Sequence, residues 1–121
     1  MSAAFPITIF HNPKCGTSRT VVDTVQAAGF KPEVVEYLKA GWTRSQLEGL
    51  LARMGAKPRD ILRTKGTPAE TLGLLDPAAS DDRILDAMVA EPILVERPIV
   101  VTPKGVRLCR PADKVQALLG A

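Results

Sequence analysis

Cysteine and histidine are scarce in this chain of 121 residues, which contains two cysteines, Cys15 and Cys109, and one histidine, His11. Two cysteines cannot form the disulfide framework that holds small secreted domains together. A closed zinc site takes four ligands, so this chain would need carboxylates or a second subunit to complete one. Pro13 also separates His11 from Cys15 and disfavours a continuous helix carrying both. We therefore predict reduced thiols and no metal site.

Long hydrophobic runs and aromatic residues are also scarce. No stretch reaches the roughly 18 consecutive apolar residues of a membrane-spanning helix, and "MSAAFPITIF" at the N-terminus lacks the basic leader of a signal peptide. Aromatic residues make up 4% of the chain and hydrophobic residues 45%, so the core must be aliphatic. The net charge of +3 is too small by itself to indicate nucleic-acid binding. We expect a cytoplasmic protein that binds neither nucleic acid nor membranes.

The first part of the chain predicts a strand, a helix and a second strand. Residues 6–10, "PITIF", form a short β-branched run that ends at the turn-forming "HNP". The following segment has helical periodicity, which Gly29 terminates. Its apolar positions are Val21, Val22, Val25 and Ala28. Residues 33–37, "EVVEY", predict the second strand, so Cys15 lies where the first strand leads into the helix.

Helices are predicted through the middle of the chain, from about residue 40 to 92. Thr43 and Gln46 have the spacing of a capping box at the start of one amphipathic helix. Ser80 is a typical N-cap for another helix, which must end before Pro92 because the residue preceding a proline avoids helical geometry.

Strands return in the last third of the chain. Residues 98–102 and 106–109 flank the turn "PKG" and predict a hairpin, and Pro111 is placed to open a final helix. The order is therefore β-α-β, helices, β-β-α. This order predicts an α/β fold in a single domain, residues 1–121, with a helical insertion at about 40–92.

Cys15 has the surroundings of a reactive thiol. The thiolate is the nucleophilic form of cysteine, and the free N–H groups at a helix N-terminus stabilise it. The small residues "GTS" at 16–18 leave those N–H groups accessible, and Arg19 adds positive charge. His11 is placed to orient the loop or to tune the thiol. We favour a nucleophile over the alternative of a small buried apolar residue.

Spacing excludes two other kinds of cysteine site. A dithiol redox motif requires a second cysteine three positions after the first, where this chain has Ser18. A phosphatase-type loop requires an arginine six positions after the cysteine, where this chain has Val21. The Cys15 thiol must therefore be regenerated by an external thiol or by Cys109. Cys109 ends an alternating strand, and we predict that it is structural.

A basic segment extends from Arg97 to Arg110 and contains four cations and no acidic residue. Arg63 and Lys65 in "ILRTK" add positive charge upstream. Arginine binds oxyanions through two parallel N–H groups, so several arginines around one thiolate would lower its pKa and hold an anion for attack. The alternative is that these arginines are solvated surface charges, as the strand position of Arg107 suggests.

Several motifs together resemble the glutaredoxin-coupled arsenate reductase family. The motifs are "HNPKCGTSR", "ILR" and "ERPIVVTPKGVRLCRP", and the similarity extends over nearly the whole chain. The resemblance implies a thioredoxin-like fold with a mixed central sheet and an inserted helical region. It also implies that Cys15 is the nucleophile and that His11 and Ser18 help to stabilise its thiolate.

The resemblance also implies a set of substrate-binding residues and a reaction. Arg63, Arg97 and Arg110 match the family's three oxyanion-binding arginines, and Pro98 matches its cis-proline. In the implied reaction the cysteine attacks arsenate, glutathione reduces and displaces the thiol-bound arsenic as arsenite, and glutaredoxin clears the mixed disulfide. The resemblance implies no bound cofactor, with glutathione as co-substrate, and we expect a monomer.

Two alternatives use the same fold. Regulatory modules of the Spx type bind RNA polymerase, but the redox-sensing members use a Cys-x-x-Cys motif, whose last position is Ser18 in this chain. A thiol reductase acting on another anion or on glutathione mixed disulfides is the second alternative.

Overall fold

Four strands form one mixed sheet in the computed structural model, which describes residues 5–120. The strands are β1 (Thr8–His11), β2 (Glu33–Glu36), β3 (Ile99–Thr102) and β4 (Gly105–Leu108). Their order across the sheet is β2-β1-β3-β4, with β1 parallel to β2 and antiparallel to β3, and with β3 antiparallel to β4. The mixed sheet predicted from the family resemblance is therefore present.

The described residues fall into two units. The sheet unit contains the chain up to Ala40 and again from Arg97, and the helical unit is Gly41–Glu96. The sequence placed a helical insertion at about 40–92. The assignment of residues 1–121 to one domain stays a prediction.

Helix α1 (Gly16–Ala27) follows β1 and starts immediately after Cys15. Its buried residues are Ser18, Val21 and Val25, which share one helical face. Gly29 adopts a φ of 94°, a left-handed conformation that glycine reaches without steric cost, and the chain turns there toward β2. A short helix, α2 (Tyr37–Ala40), follows β2 directly. Tyr37 thus begins a helix instead of ending the predicted strand.

An aliphatic core joins the sheet to α1 and to the C-terminal segment. Its residues are Ile7, Ile9, Val21, Val25, Phe30, Val100, Cys109, Val115 and Leu118. The rings of Phe5 and Phe30 stack at its margin with centroids 4.9 Å apart. The predicted final helix has only a single α-helical turn, α5 (Gln116–Leu119). A 3₁₀ turn (Ala112–Val115) precedes it.

The helical unit contains α3 (Arg44–Met54) and α4 (Asp81–Ala90), with 3₁₀ turns at Pro58–Ile61 and Pro92–Leu94. The predicted capping box is confirmed, because the Thr43 side chain accepts from the Gln46 N–H and the Gln46 side chain accepts from the Thr43 N–H. The Ser80 cap of α4 is confirmed as well, since its Oγ accepts from the N–H of Arg83 at 3.1 Å.

Within residues 5–120, no helix is both long enough and apolar enough to cross a membrane.

Candidate active site

Cys15 occupies the N-cap position of α1 and is 9% exposed. Its backbone is extended, its N–H donates to the carbonyl of Asn12 at 3.0 Å, and its carbonyl accepts the first hydrogen bond of the helix from Arg19 at 3.0 Å. The N–H groups of the first helical turn have no partner inside the helix. The structure therefore places the sulfur where these N–H groups are available, as the sequence predicted.

Arg110 reaches Cys15 from the opposite end of the chain. Its Nη1 donates to the sulfur at 3.5 Å and to the carbonyl of Arg97 at 3.0 Å. The pairing of β3 with β4 aligns Ile99 with Leu108, which brings the residues just before β3 and just after β4 to one end of the hairpin. The sheet register therefore places Arg97 and Arg110 side by side.

Arg97 is buried, with 8% of its surface exposed. Its Nε and Nη1 are buried and have no hydrogen-bond acceptor among residues 5–120. Burial alone disfavours the charged form, but interactions with the Cys15 thiolate and the Tyr37 hydroxyl raise the pKa of Arg97. A buried guanidinium with unpaired N–H groups is costly unless an anion accepts from it. Arg97 therefore has the properties of an oxyanion-binding residue.

The Cys15 thiol is acidic. Burial by itself would raise its pKa, but the Ser18 backbone N–H and the guanidinium groups of Arg97 and Arg110 lower the pKa to about 7. These donors stabilise the thiolate and have no comparable interaction with the neutral thiol. The lowered pKa increases the share of thiolate at neutral pH, and the thiolate is the nucleophilic form of cysteine.

His11 acts on the loop through Ser18. Nδ1 of His11 and Oγ of Ser18 share a hydrogen bond of 2.7 Å, and the same Oγ accepts from the N–H of Asn12 at 3.1 Å. Burial lowers the pKa of His11, Glu36 opposes this effect and Arg19 adds to it. His11 is thus neutral at pH 7 and orients Ser18 without adding a charge.

Asn12 is a site residue that the sequence analysis missed. Its side chain accepts from the N–H of Lys14 at 2.9 Å, and its carbonyl accepts from Cys15. An asparagine that bonds the backbone two residues later is a typical turn former, so the "HNP" sequence contained this signal. The Arg19 guanidinium donates to the carbonyl of Pro13 at 2.9 Å and so also supports this turn.

Two of the X-Pro peptide bonds, Arg97–Pro98 and Arg110–Pro111, are cis. They flank the hairpin on the side where the two arginines meet. Tyr37, buried and in contact with Arg97, is a second residue that sequence reasoning missed. No local sequence signal marks it, because the contact depends on the position of β2 in the sheet.

Arg63 belongs to the helical unit. Its Nη1 donates to a carboxylate oxygen of Glu96 at 2.8 Å, and its Nε donates to the carbonyl of Lys65 at 3.1 Å. The ion pair that Glu96 forms with Arg63 was not predicted from the sequence.

Cys109 contrasts with Cys15. It is fully buried in the core of the sheet unit, and burial raises its pKa to about 12, although Arg107 and Lys114 act in the opposite direction. The Arg107 side chain is exposed. No group of three or more metal-ligating side chains occurs in the part of the chain that the structure describes.

A comparison with known families identifies the chain. The ArsC family model matches residues 10–118, nearly the whole sequence. The chain belongs to the ArsC family. This match confirms the resemblance found in the motifs around Cys15 and in the arginine-rich C-terminal segment.

Individual relatives are similar to this chain over most of their length. The chain is 58% identical over 113 residues to "Arsenate reductase ArsI2" of Synechocystis, a match that covers 93% of this chain and 81% of that protein. It is 47% identical over 113 residues to an arsenate reductase of Escherichia coli K12, with coverages of 93% and 80%. The solved structure of an arsenate reductase from Vibrio cholerae superimposes with a TM-score of 0.90 at 34% identity, covering 96% of this chain and 99% of that one. The thioredoxin-like fold expected of the family is therefore confirmed.

Proposed function

We propose that this chain reduces arsenate to arsenite, with Cys15 as the nucleophile. The observation that carries the proposal is the buried guanidinium of Arg97, which interacts with the Cys15 thiolate and retains two N–H-bearing nitrogens without an acceptor among the described residues. Arg110, which donates to the sulfur, adds a second cation. An oxyanion bound to these donors would lie next to the attacking sulfur. The arsenate reductases among its relatives identify arsenate as that anion.

The first step forms a bond between the sulfur of Cys15 and arsenic. One arsenate oxygen takes up protons and leaves as water, and arsenic remains pentavalent. The arginines oppose the charge repulsion between thiolate and arsenate, and they are in place before the reaction begins. The family resemblance also assigns Arg63 to substrate binding, Pro98 to the site and His11 with Ser18 to thiolate stabilisation, and we retain these assignments as proposals.

Glutathione supplies the electrons as a co-substrate. Its thiolate attacks the sulfur of Cys15, an S–S bond forms, and the S–As bond breaks with its electron pair remaining on arsenic. Arsenic is thereby reduced from the pentavalent to the trivalent state and leaves as arsenite. Glutaredoxin then removes glutathione from Cys15 and restores the thiol. The steps use no metal or bound cofactor, and the need for glutathione agrees with a cytoplasmic location.

The surroundings of Cys15 support the proposal of an external reductant. The fourth position of the motif is Ser18, and Cys109 is buried in the core with a strongly raised pKa. A buried, protonated thiol is a poor attacking group. The same features argue against a dithiol-sensing regulatory module.

A coupled assay tests the proposal. Purified protein with glutathione, glutaredoxin, glutathione reductase and NADPH should oxidise NADPH when arsenate is added. Cys15→Ser should reduce the rate to background, and Cys109→Ala should retain activity, because it changes a core residue outside the site. Arsenate-dependent turnover in Cys15→Ser would exclude the mechanism. Inhibition by phosphate and sulfate, measured in the same assay, reports how strongly the site prefers arsenate over other oxyanions.

A further inference from the structure

Asn12 lies in the loop between β1 and α1 and is 4% exposed. Three of its polar groups are bonded to this loop or to the first turn of α1. Its carbonyl accepts from the N–H of Cys15 at 3.0 Å, and its N–H donates to Oγ of Ser18 at 3.1 Å. Its side-chain Oδ1 accepts from the N–H of Lys14 at 2.9 Å. Asn12 is therefore bonded both to the nucleophile and to the residue whose N–H stabilises the thiolate.

These contacts close a turn over residues 12–15. The bond between the Asn12 carbonyl and the Cys15 N–H spans four residues, as in a β-turn, and Pro13 occupies the second position, where its fixed φ is favoured. The Oδ1 contact with Lys14 forms an Asx turn inside it. The Pro13 carbonyl accepts from Arg19 at 2.9 Å. The turn sets the backbone direction at Cys15 and thereby the position of the sulfur at the N-terminus of α1.

The Asn12 side chain uses its oxygen in this turn, whereas its Nδ2 has no acceptor within residues 5–120. An aspartate would supply the same oxygen, since both residues form Asx turns. Asp76 does so elsewhere in the chain, where its Oδ1 accepts from the N–H of Ala78 at 2.8 Å and the residue is exposed. At position 12 a carboxylate would be buried and would add a negative charge to the loop that carries the thiolate. The amide forms the turn without that charge.

The charged groups near this loop favour an anion at Cys15. Arg97 and Arg110, at the end of the β3–β4 hairpin, lower the pKa of the thiol. Arg19 on α1 is a further cation, and burial lowers the pKa of His11 on β1. A negative charge at position 12 would oppose these cations, so a neutral side chain suits the site.

We propose that Asn12 is a positioning residue for the nucleophile, and that its neutral amide holds the turn that presents the sulfur of Cys15 to the first N–H groups of α1. This inference rests on the proposed function, because it gives Asn12 a part in preparing Cys15 for attack. Asn12 acts through Cys15 and not on the oxyanion itself. When the Oδ1 contact is lost, the sulfur spends less time at the helix N-terminus, and the thiolate loses part of its stabilisation.

The pH profile of alkylation tests this role in the absence of arsenate. The rate of reaction of Cys15 with iodoacetamide is followed from pH 5 to 9 in Cys109→Ala protein, and its midpoint is determined. Asn12→Ala, which removes the Oδ1 contact, should raise the midpoint by about half a pH unit. Asn12→Asp, which keeps the contact and adds a negative charge, should raise it by about one pH unit. A residue that only stabilised the fold would leave the midpoint unchanged.

Thr102→Val is the matched control. Oγ1 of Thr102 accepts from the N–H of Lys104, two residues later, at 3.0 Å, and Thr102 is buried. It lies at the opposite end of the sheet, because Ile99, at the other end of β3, pairs with Phe10 near the end of β1 that leads to Cys15. Thr102→Val should be less stable in urea than the unmodified protein and should keep its midpoint.

Urea unfolding verifies that each variant is folded. Asn12→Ser decides the question if Asn12→Ala does not fold. Serine is a neutral but weaker acceptor in such turns, so its midpoint should lie between those of the unmodified protein and Asn12→Asp.

The outcomes separate this inference from the function on which it rests. If the unmodified protein shows no arsenate-dependent turnover, the proposed function is wrong, and the midpoints still decide whether Asn12 positions the sulfur. An unchanged midpoint in Asn12→Ala overturns the role of Asn12, as does an Asn12→Asp midpoint equal to that of the unmodified protein. A shift in Thr102→Val as large as that in Asn12→Ala also overturns it, because the midpoint would then follow stability and not the turn.

Discussion

Nη1 of Arg110 lies 3.5 Å from the sulfur of Cys15, although 95 positions separate the two residues in the chain. The same nitrogen also binds the carbonyl of Arg97 at 3.0 Å. This contact connects the N-terminus of α1 to the end of the β3–β4 hairpin. It brings a charged donor to the sulfur of Cys15 and contributes to the low pKa of the thiol.

Alkylation of Cys15 should follow a titration with a midpoint near pH 7. The pKa of the Cys15 thiol is lowered to about 7, so the thiolate accumulates as the pH rises through 7 and is protonated below it. At pH 6, about one tenth of the thiol is ionised if the pKa is 7. The rate of reaction with iodoacetamide, measured between pH 5 and 9 on Cys109→Ala protein, gives the midpoint.

Arg110→Ala should move this midpoint to higher pH, because it removes a charged donor from the thiolate. The rate at pH 7 should fall accordingly. Arg107→Ala is the matched control, since it removes an exposed arginine from the neighbouring strand. Equal midpoints for Arg110→Ala and the unmodified protein would show that the contact with the sulfur has no electrostatic effect.

Cys109 should resist modification in the folded protein. It is fully buried and its pKa is raised to about 12, so the thiolate is negligible below pH 10. Mass spectrometry after iodoacetamide treatment at pH 8 should detect one adduct, on Cys15. The same treatment in concentrated urea should detect two. Rapid formation of two adducts without denaturant would contradict the buried position of Cys109.

Ser18→Ala should separate the two roles of Ser18. Loss of the hydroxyl leaves Nδ1 of His11 and the N–H of Asn12 without their partner, which should cost about 1–3 kcal/mol in the free energy of unfolding. The backbone N–H of residue 18 remains, so the alkylation midpoint of Cys15 should move less than in Arg110→Ala.

Urea unfolding measures the change in the free energy of unfolding of Ser18→Ala, and the pH profile of alkylation measures the shift of the Cys15 midpoint. Ser45→Ala, which changes an exposed serine, is the control for stability. A shift of the midpoint as large as that of Arg110→Ala would mean that the hydroxyl stabilises the thiolate, in place of the amide.

Arg59 should be required for the order of the irregular segment before α4. Its guanidinium donates to three carbonyls, those of Leu74, Asp76 and Ala79, at 3.0 to 3.1 Å. Arg59→Ala should lower the free energy of unfolding by about 1–2 kcal/mol, since the three carbonyls lose their hydrogen-bond donor and can accept only from water. Thermolysin should also cleave near Leu74 faster than in the unmodified protein.

Arg59→Lys keeps the charge but not the planar fork, so it should recover little of the loss. Full recovery in the lysine variant would indicate that charge matters here, and not the geometry of the three hydrogen bonds.

Sequence reasoning succeeded where the determining interactions are local. The capping box of Thr43 with Gln46 and the cap at Ser80 are set by residues three positions apart. The N-cap position of Cys15 follows from the end of a β-branched run and the onset of helical periodicity. These features were predicted because helix starts depend on side chains within one turn.

Element boundaries were predicted less well. The first strand is Thr8–His11 and not residues 6–10, because its limits are set by pairing with β2 and β3. Tyr37 leaves the predicted strand and begins a helix. The C-terminal helix begins with a 3₁₀ turn, a detail that helical periodicity does not distinguish from a regular helix.

The sequence by itself determined the order of strands and helices, the position of Cys15 at the start of a helix and, through its motifs, the family. Only the tertiary structure showed that Arg97 is buried with unpaired N–H groups, that Tyr37 contacts it and that Glu96 binds Arg63. The physical reason is the range of the interactions. Helical periodicity and caps depend on residues within a few positions, whereas the partners of a buried arginine depend on sheet register and on segments brought together only when the chain folds.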